Sequence, residues 1–196
     1  MKRLRFVAGL AALAALVGVG LFQGGDVSAA SLSSTVLLRV KADLTNTAGL
    51  ANAAAPVLLE RSLTWTNGVG ANQANVVWTA ERTLAASATE DLDFAGGGLT
   101  DAFGAAVAPA KIRAVIVSAS AGDTNSVVLG GDANSVPFLS AAATTVSIQP
   151  GGVFVFTAPA VAGVPVTAGT GDIIQVANSG AGTPVTYSII VLGTAS

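Results

Sequence analysis

Short β-rich runs separated by turn residues constrain this chain more than any other feature, and they are densest between Thr144 and Gly193. The four runs in this stretch are Thr144–Gln149, Val153–Thr157, Asp172–Asn178 and Val185–Leu192. Pro150-Gly151-Gly152 separates the first two, and this is turn chemistry because Pro fixes φ while Gly permits positive φ. Residues 179–183 separate the last two and have the length of a hairpin loop. The stretch therefore predicts an antiparallel sheet that another layer must cover.

Further runs of the same kind fill the preceding part of the chain. Val57–Trp65 alternates with period two, which indicates a half-buried strand, and Lys111–Ser118 has the richest β-branched content. The other predicted strands are Ser34–Lys41, Asn75–Leu84, Ala85–Phe94, Ser126–Leu129 and Val136–Leu139. Ala42–Pro56 and Thr66–Ala74 are predicted to be loops, and Leu99–Gly104 is predicted to form a single helical turn.

The spacing of these runs indicates the fold class. Strands recurring every 8–12 residues or so are typical of a sandwich or barrel, and the part after residue 30 lacks any sustained helical period. We therefore predict an all-β fold: an antiparallel, jelly-roll-like β-sandwich of eight to ten strands, with residues 31–196 as a single domain. The predicted core residues are Trp65, Trp78, Phe103, Ile112, Ile116, Phe154, Phe156, Ile173 and Ile189.

Residues 1–30 differ from the rest of the chain. Met1–Arg5 is basic, Phe6–Phe22 is apolar, and Val27 and Ala29 are small residues suited to a cleavage site. This layout is that of a secretory signal peptide. The alternatives are an uncleaved membrane anchor, for which the apolar run is at the short limit, and a retained hydrophobic N-terminal helix used in assembly. Membrane contact is expected only through this segment, if it is retained.

Composition excludes several classes of function. The chain has no Cys and no His, which removes the usual zinc sites, thiol catalysis, Ser-His-Asp triads and disulfides. The formal net charge is −2, and no Lys or Arg follows Arg113, so the clustered cations of a nucleic-acid surface are missing. Only 10% of residues are charged, against about 25% in an average soluble domain. Such a low charge suits a protein that packs against copies of itself or against a neighbour.

One acidic cluster is a candidate catalytic site. Its members are Glu90, Asp91, Asp93 and Asp101. A glycosidase needs two carboxylates flanking a sugar, and such sites also carry aromatic platforms. The chain has two Trp and one Tyr, so we prefer a solvated loop or turn.

The remaining candidate motifs also favour structural interpretations. Asp123-Thr124-Asn125 and Asp132-Ala133-Asn134 alternate oxygen ligands as calcium loops do, but neither has the downstream Glu, so turns are favoured. Thr167–Asp172 is Gly-rich but lacks a Lys and a following helix, which favours a tight loop over a phosphate cradle. Trp65 and Trp78 suit packing better than ligand stacking. We predict no catalytic, cofactor-binding or metal-binding residues and no enzymatic activity, with a calcium-dependent or sugar-binding module as a lesser alternative.

Several motifs carry a likeness to a known group of proteins. They are Glu81–Phe94, Leu99–Gly104, Lys111–Val117, Pro150–Phe154, the TAGTGD run at 167–172 and the VTYSIIVLG run at 185–193, with a weaker likeness over Ser34–Trp65. On these motifs, the chain resembles small structural proteins encoded among the virion genes of tailed bacteriophages. The likeness covers about four-fifths of the chain, and its motifs are structural rather than catalytic.

The resemblance implies a non-enzymatic structural subunit of a virion, of the capsid decoration or cement type. Its partners would be a capsid lattice protein, copies of itself, or both, and a homo-oligomer is expected. Multivalent contacts would give avidity to individually weak interfaces. The alternative is a secreted cell-surface or filament-forming β-sandwich protein, cleaved near Ala29, whose subunits join by strand exchange through the segment after Ala30.

Overall fold

The computed structural model describes residues 31–48, 51–141 and 144–195, and the predicted hydrophobic segment 1–30 lies outside these ranges. The described residues form eleven β-strands and one 3-10 turn, with no α-helix among them. The strands are β1 Ser34–Ala48, β2 Ala51–Trp65, β3 Val76–Leu84, β4 Thr89–Asp93, β5 Lys111–Ala119, β6 Val127–Gly130, β7 Thr145–Ile148, β8 Val153–Thr157, β9 Val164–Pro165, β10 Ile173–Asn178 and β11 Val185–Thr194. The predicted all-β class is confirmed.

Strands β3 to β11 form two sheets. One has the order β3-β11-β5-β8, with β9 also paired to β5, and the other has the order β4-β10-β6-β7. Every ladder between these strands is antiparallel. Inward side chains of both sheets share one buried cluster, including Trp78, Leu92, Val117, Leu129, Ile174, Val176, Tyr187 and Ile189. The two sheets therefore pack as the layers of a sandwich, as their alternating apolar residues predict.

Strands β1 and β2 form a separate two-stranded ribbon, here called the arm (residues 34–65). Its register pairs Ser34 with Trp65 at the base and Ala48 with Ala51 at the far end. At the base, the fully buried Trp65 clusters with Ala114 and Leu192 of the five-stranded sheet. The described packing of the arm on the sandwich is confined to this end, where Val36 and Leu63 also contribute.

Three local predictions are wrong. The predicted loop Ala42–Pro56 is not observed, because residues 42–48 and 51–56 pair across the arm as parts of β1 and β2. Pro56 is tolerated because β2 is an edge strand, where a missing N–H breaks no second ladder. Val136–Leu139 is not a strand, since Pro137 begins the 3-10 turn Pro137–Leu139. Leu99–Gly104 contains a hydrogen-bonded turn instead of a helical turn.

The C-terminal runs form the predicted strands, but they do not share one sheet. β7 and β10 belong to the four-stranded sheet, whereas β8 and β11 belong to the five-stranded sheet. Residues 179–184 are therefore a crossing between layers and not a hairpin loop. Pro150–Gly152 is the predicted turn, with Gly151 at a φ of 74° and the Gly152 N–H donating to the Gln149 carbonyl at 2.7 Å.

Of the nine predicted core residues, four are buried, four are half-buried and one is exposed. Trp65, Trp78, Ile112 and Ile189 are buried, while Ile116, Phe154, Phe156 and Ile173 are half-buried. The prediction for Phe103 is wrong, because its side chain is 84% exposed. Asp101 Oδ1 accepts the Phe103 N–H at 2.8 Å and the Ala105 N–H at 2.9 Å. This closes a surface turn in which Phe103 faces solvent.

Candidate interaction surface

The members of the acidic cluster act as hydrogen-bond acceptors within the fold. Asp93 Oδ1 accepts the N–H groups of Ala95 and Gly96 at 2.9 and 2.6 Å, which forms a turn after β4. Asp91 faces outward and accepts from Gln175 Nε2 at 2.8 Å, which links β4 to β10. With Asp101 in its own turn, these three carboxylates fit the loop and turn interpretation better than a shared catalytic centre.

Glu90 differs because it connects the two layers. The buried Tyr187 on β11 donates its hydroxyl hydrogen bond to Glu90 Oε1 on β4. Arg82 Nη1 contacts Glu90 Oε2 at 3.2 Å, and its guanidinium lies 5.8 Å from the Trp78 ring centre. Burial, then the hydrogen bond to Glu90, raises the pKa of Tyr187 well above its usual value. The phenol therefore stays protonated and acts as a permanent donor between the sheets.

The two calcium-like motifs also serve the loops. Asp123 Oδ2 accepts the Thr186 N–H at 3.0 Å, and Asp132 Oδ1 accepts the Asn134 N–H at 2.6 Å. Asn125 Nδ2 donates to Asn178 Oδ1 at 3.0 Å. Within the described ranges, no group of three or more Asp or Glu side chains is placed to hold a metal ion. Asp132 therefore matches the turn interpretation, whereas Asp123 and Asn125 connect their loop to β11 and β10.

The Gly-rich motif and the tryptophans also have packing roles. Asp172 is buried, and its Oδ2 accepts the Gly169 N–H at 2.7 Å, which closes the tight loop that the sequence predicts. Trp78 meets Phe94 edge-on in the core, with ring centres 5.5 Å apart. Trp65 is sequestered at the base of the arm. Neither indole is available for stacking on a ligand.

Arg113 is a structural residue that the sequence analysis does not single out. It lies on β5 opposite the register shift at Leu192/Gly193, and it is fully buried. Its guanidinium donates to the carbonyls of Ala160, Val69 (2.9 Å) and Gly70 (3.1 Å). Burial lowers the pKa of Arg113. These hydrogen bonds hold the loop between β2 and β3, which contains Val69 and Gly70, against β5. The only sequence signal is a lone cation inside an apolar strand.

The arm is amphipathic and its apolar face is open. The register places Leu38, Val40, Ala42 and Leu44 on one face with their partners Arg61, Leu59, Val57 and Ala55. Leu38, Val40, Leu44, Val57 and Leu59 are 47–75% exposed. The opposite, more polar face carries the ion pairs Arg39–Glu60 at 3.4 Å and Lys41–Asp43 at 3.2 Å, together with the exposed Leu37 and Leu58. Contiguous exposed apolar residues such as those of the first face are typical of interaction surfaces.

The outer face of the five-stranded sheet is a second open apolar surface. It exposes Val77, Ile190, Val155 and Val153, whose exposed fractions range from 39 to 60%. Glu81 is the one carboxylate among the outward residues of β3, β11, β5 and β8. A shallow depression of about 210 Å³ beside it is lined by Glu81, Ser118, Ala119, Ser120, Thr186, Tyr187 and Ser188. This volume is small for a drug-sized ligand, for which pockets of roughly 300–1,000 Å³ are usual.

The part of the chain that the structure describes offers no helix of the length and hydropathy needed to cross a bilayer. No protein-family model, curated protein or solved structure matches this chain. The resemblance to phage virion proteins therefore stays a prediction.

Proposed function

We propose that this protein is a non-enzymatic structural subunit that assembles through neutral β surfaces. The observation that carries the proposal is the arm, whose exposed Leu38, Val40, Leu44, Val57 and Leu59 have no covering layer in the described chain. Covering the exposed half of one such side chain contributes roughly 1 kcal/mol, so an uncovered group of five favours association. The candidate polar residues fit this role because they hold turns and layers together.

The strand order supports a jelly-roll assignment for the sandwich. The strands pair outward from the middle of the sandwich sequence, as the two halves of one long hairpin would. β6 pairs with β7, β5 with β8, β4 with β10, and β3 with β11. A jelly roll is an eight-stranded double sheet of this kind, with β9 here as a short addition. Jelly rolls occur in viral capsid proteins, lectin domains and cupins, so the fold is compatible with a capsid role without specifying it.

Within this class, we propose capsid decoration or cementing as the specific role. The support is the resemblance of the sequence motifs, the low charge, and two open apolar surfaces on one subunit. Each subunit then contacts two or more neighbours, and the combined contacts retain a subunit whose single interfaces are weak. The location would be the virion, and the partners a capsid lattice protein and copies of this chain.

A secreted filament-forming or cell-surface protein is the second candidate. It is favoured by the signal-peptide layout of residues 1–30 and by the arm, whose strands β1 and β2 pair only with each other in the described chain. Each outer edge of the ribbon is therefore open to strand addition.

Fractionation of the native protein tests the two candidates. Co-purification with capsid particles, at a fixed copy number per capsid, is the result expected of a decoration protein. Large particle-free assemblies whose N-terminal sequence begins at Ala30 would support the exported protein instead. A free monomer under both conditions would contradict the structural role. Calorimetric titration with calcium and with oligosaccharides checks the ligand-binding alternative, for which no heat is expected.

A further inference from the structure

The two open apolar surfaces differ in charge in a way that suits contact between copies. The arm carries three cations and two carboxylates, whereas residues 66–195 carry three cations and eight carboxylates. Arg39 and Lys41 are paired within the arm, but Arg61 makes no ion pair with any described residue. Arg61 lies on the apolar face directly across from Leu38. The arm therefore presents one unpaired cation in an apolar row, and the sandwich is acidic.

The outer face of the five-stranded sheet offers the complement to that cation. Glu81, Ser188 and Ser118 lie side by side in one row across β3, β11 and β5. They line the shallow depression together with Thr186. Within the described chain, Glu81 makes no ion pair. A guanidinium has five N–H donors and no acceptor, so a depression lined by a carboxylate and hydroxyl oxygens suits it.

The position of the arm on its own sandwich leaves this part of the face open. The base of the arm covers Ala114 and Leu192, which are paired across β5 and β11 and form one row of the face. Ile190 and Val155 lie in the next row, and Glu81 and Val153 in the row after it. A chain's own arm therefore covers one end of the face, and the remaining apolar rows are exposed beside the acidic depression.

We propose that the arm of one copy lies on the outer face of the five-stranded sheet of a second copy, with Arg61 entering the depression beside Glu81. The inference rests on the proposed role as a self-assembling subunit and names its partner surface. About ten residues of each strand extend beyond the base, or about 34 Å, and the ribbon is about 10 Å wide. The open rows of the face span about 20 Å, so a reciprocal exchange of two arms buries about 800 Å² in total, the size of a weak contact that gains strength from several copies.

Cysteine cross-linking tests the contact directly, because the full chain has no Cys. Leu38→Cys puts a thiol beside Arg61 and keeps the charge, and Ser188→Cys puts one beside Glu81. Mixing the two proteins, one of them enlarged by a tag, is expected to give the mixed disulfide under mild oxidation. The control pairs Leu38→Cys with Ser147→Cys, which is exposed on β7 of the other sheet. Equal yields from both mixtures, or a dominant disulfide between two Leu38→Cys chains, would overturn the proposed contact.

Charge reversal measures the contribution of the ion pair to association in the full chain. Arg61→Glu and Glu81→Arg are each expected to weaken self-association at least about tenfold in sedimentation experiments, and the double variant is expected to recover most of the loss. Arg39→Glu is the matched control, because it makes the same charge change on the polar face and should alter association less than about threefold. Circular dichroism verifies that each variant keeps its β structure.

The outcomes separate this inference from the proposed function. A wild-type chain that stays monomeric over the whole concentration range overturns the exchange of arms, while attachment to capsids would still support the subunit role. If assemblies form but Arg61→Glu, Glu81→Arg and the double variant all associate as the wild type does, the placement of Arg61 is overturned while self-assembly stands.

Discussion

Raising the pH above 10 should destabilise this protein through one phenol. Tyr187 is fully buried and donates to Glu90, and its pKa is raised from the usual 10.0. Above pH 10, the unfolded chain releases this proton while the folded chain keeps it. The folded state then binds more protons than the unfolded state, so the free energy of unfolding falls as the pH rises. Below pH 10 this contribution to stability is fully present.

The magnitude follows from proton linkage. When the folded state binds one proton more than the unfolded state, the free energy of unfolding falls by about 1.4 kcal/mol for each pH unit above 10. Between pH 10 and 11.5 the loss from Tyr187 is therefore about 2 kcal/mol. For a chain of this length, that lowers the melting temperature by about 4–8 °C.

The assay is unusually clean because Tyr187 is the single tyrosine of the chain. Tyrosinate absorbance reports its ionisation, and circular dichroism reports unfolding. We expect the tyrosinate signal to appear together with the loss of β structure as the pH rises, and not before it. Urea titrations at several pH values supply the free energies.

Tyr187→Phe is the matched control. It removes the hydrogen bond to a charged acceptor and should cost about 1.5–3 kcal/mol at pH 7. Its stability should then decline less steeply above pH 10 than that of the wild type. Ionisation of Tyr187 near pH 10 in the folded protein, or an identical pH slope in the variant, would refute the reasoning.

Three further predictions concern particular positions. Arg113→Met should cost about 3 kcal/mol or more in a melting experiment, since it leaves the carbonyls of Val69, Gly70 and Ala160 without their buried donor, and a loss under 1 kcal/mol would contradict that role. Gly130→Ala should lower the melting temperature far more than Gly182→Ala. Both glycines have positive φ, but an added Cβ at Gly130 would clash with the Thr144 carbonyl oxygen, whereas at Gly182 it would meet open space. Phe103→Ser should change the free energy of unfolding by less than about 0.5 kcal/mol, and a larger loss would place that ring in a core.

Local pattern was enough to locate most strands, because alternation and turn residues act within a few positions. Val57–Trp65, Lys111–Ser118 and Val185–Leu192 all lie within observed strands for this reason. The arm shows the limit of local pattern. Residues 42–48 and 51–56 have weak β propensity, and they are strands because they pair across the ribbon.

The sequence also identified the polar candidates, but not what they contact. Turn chemistry correctly describes Asp93, Asp101 and Asp132, whose partners lie within four residues. Glu90 and Arg113 depend on partners far along the chain, such as Tyr187 for the first and Ala160 for the second. Glu90 meets Tyr187 only when the sheets stack, and Arg113 meets Ala160 only when the loop after β8 folds back onto β5, so no local pattern indicates either contact.

The sequence by itself determined an all-β chain of short strands, low in charge and without residues for common metal or thiol chemistry. Tertiary structure alone decided which strand lies in which layer, because β3 and β11 adjoin only after about a hundred residues have folded between them. It also decided which apolar residues remain uncovered. Leu38 and Val117 both follow the pattern of a buried strand, yet only Val117 has a second sheet packed over it. Burial depends on neighbours distant in sequence, and the apolar face of the arm stays exposed because no described layer packs over it beyond its base.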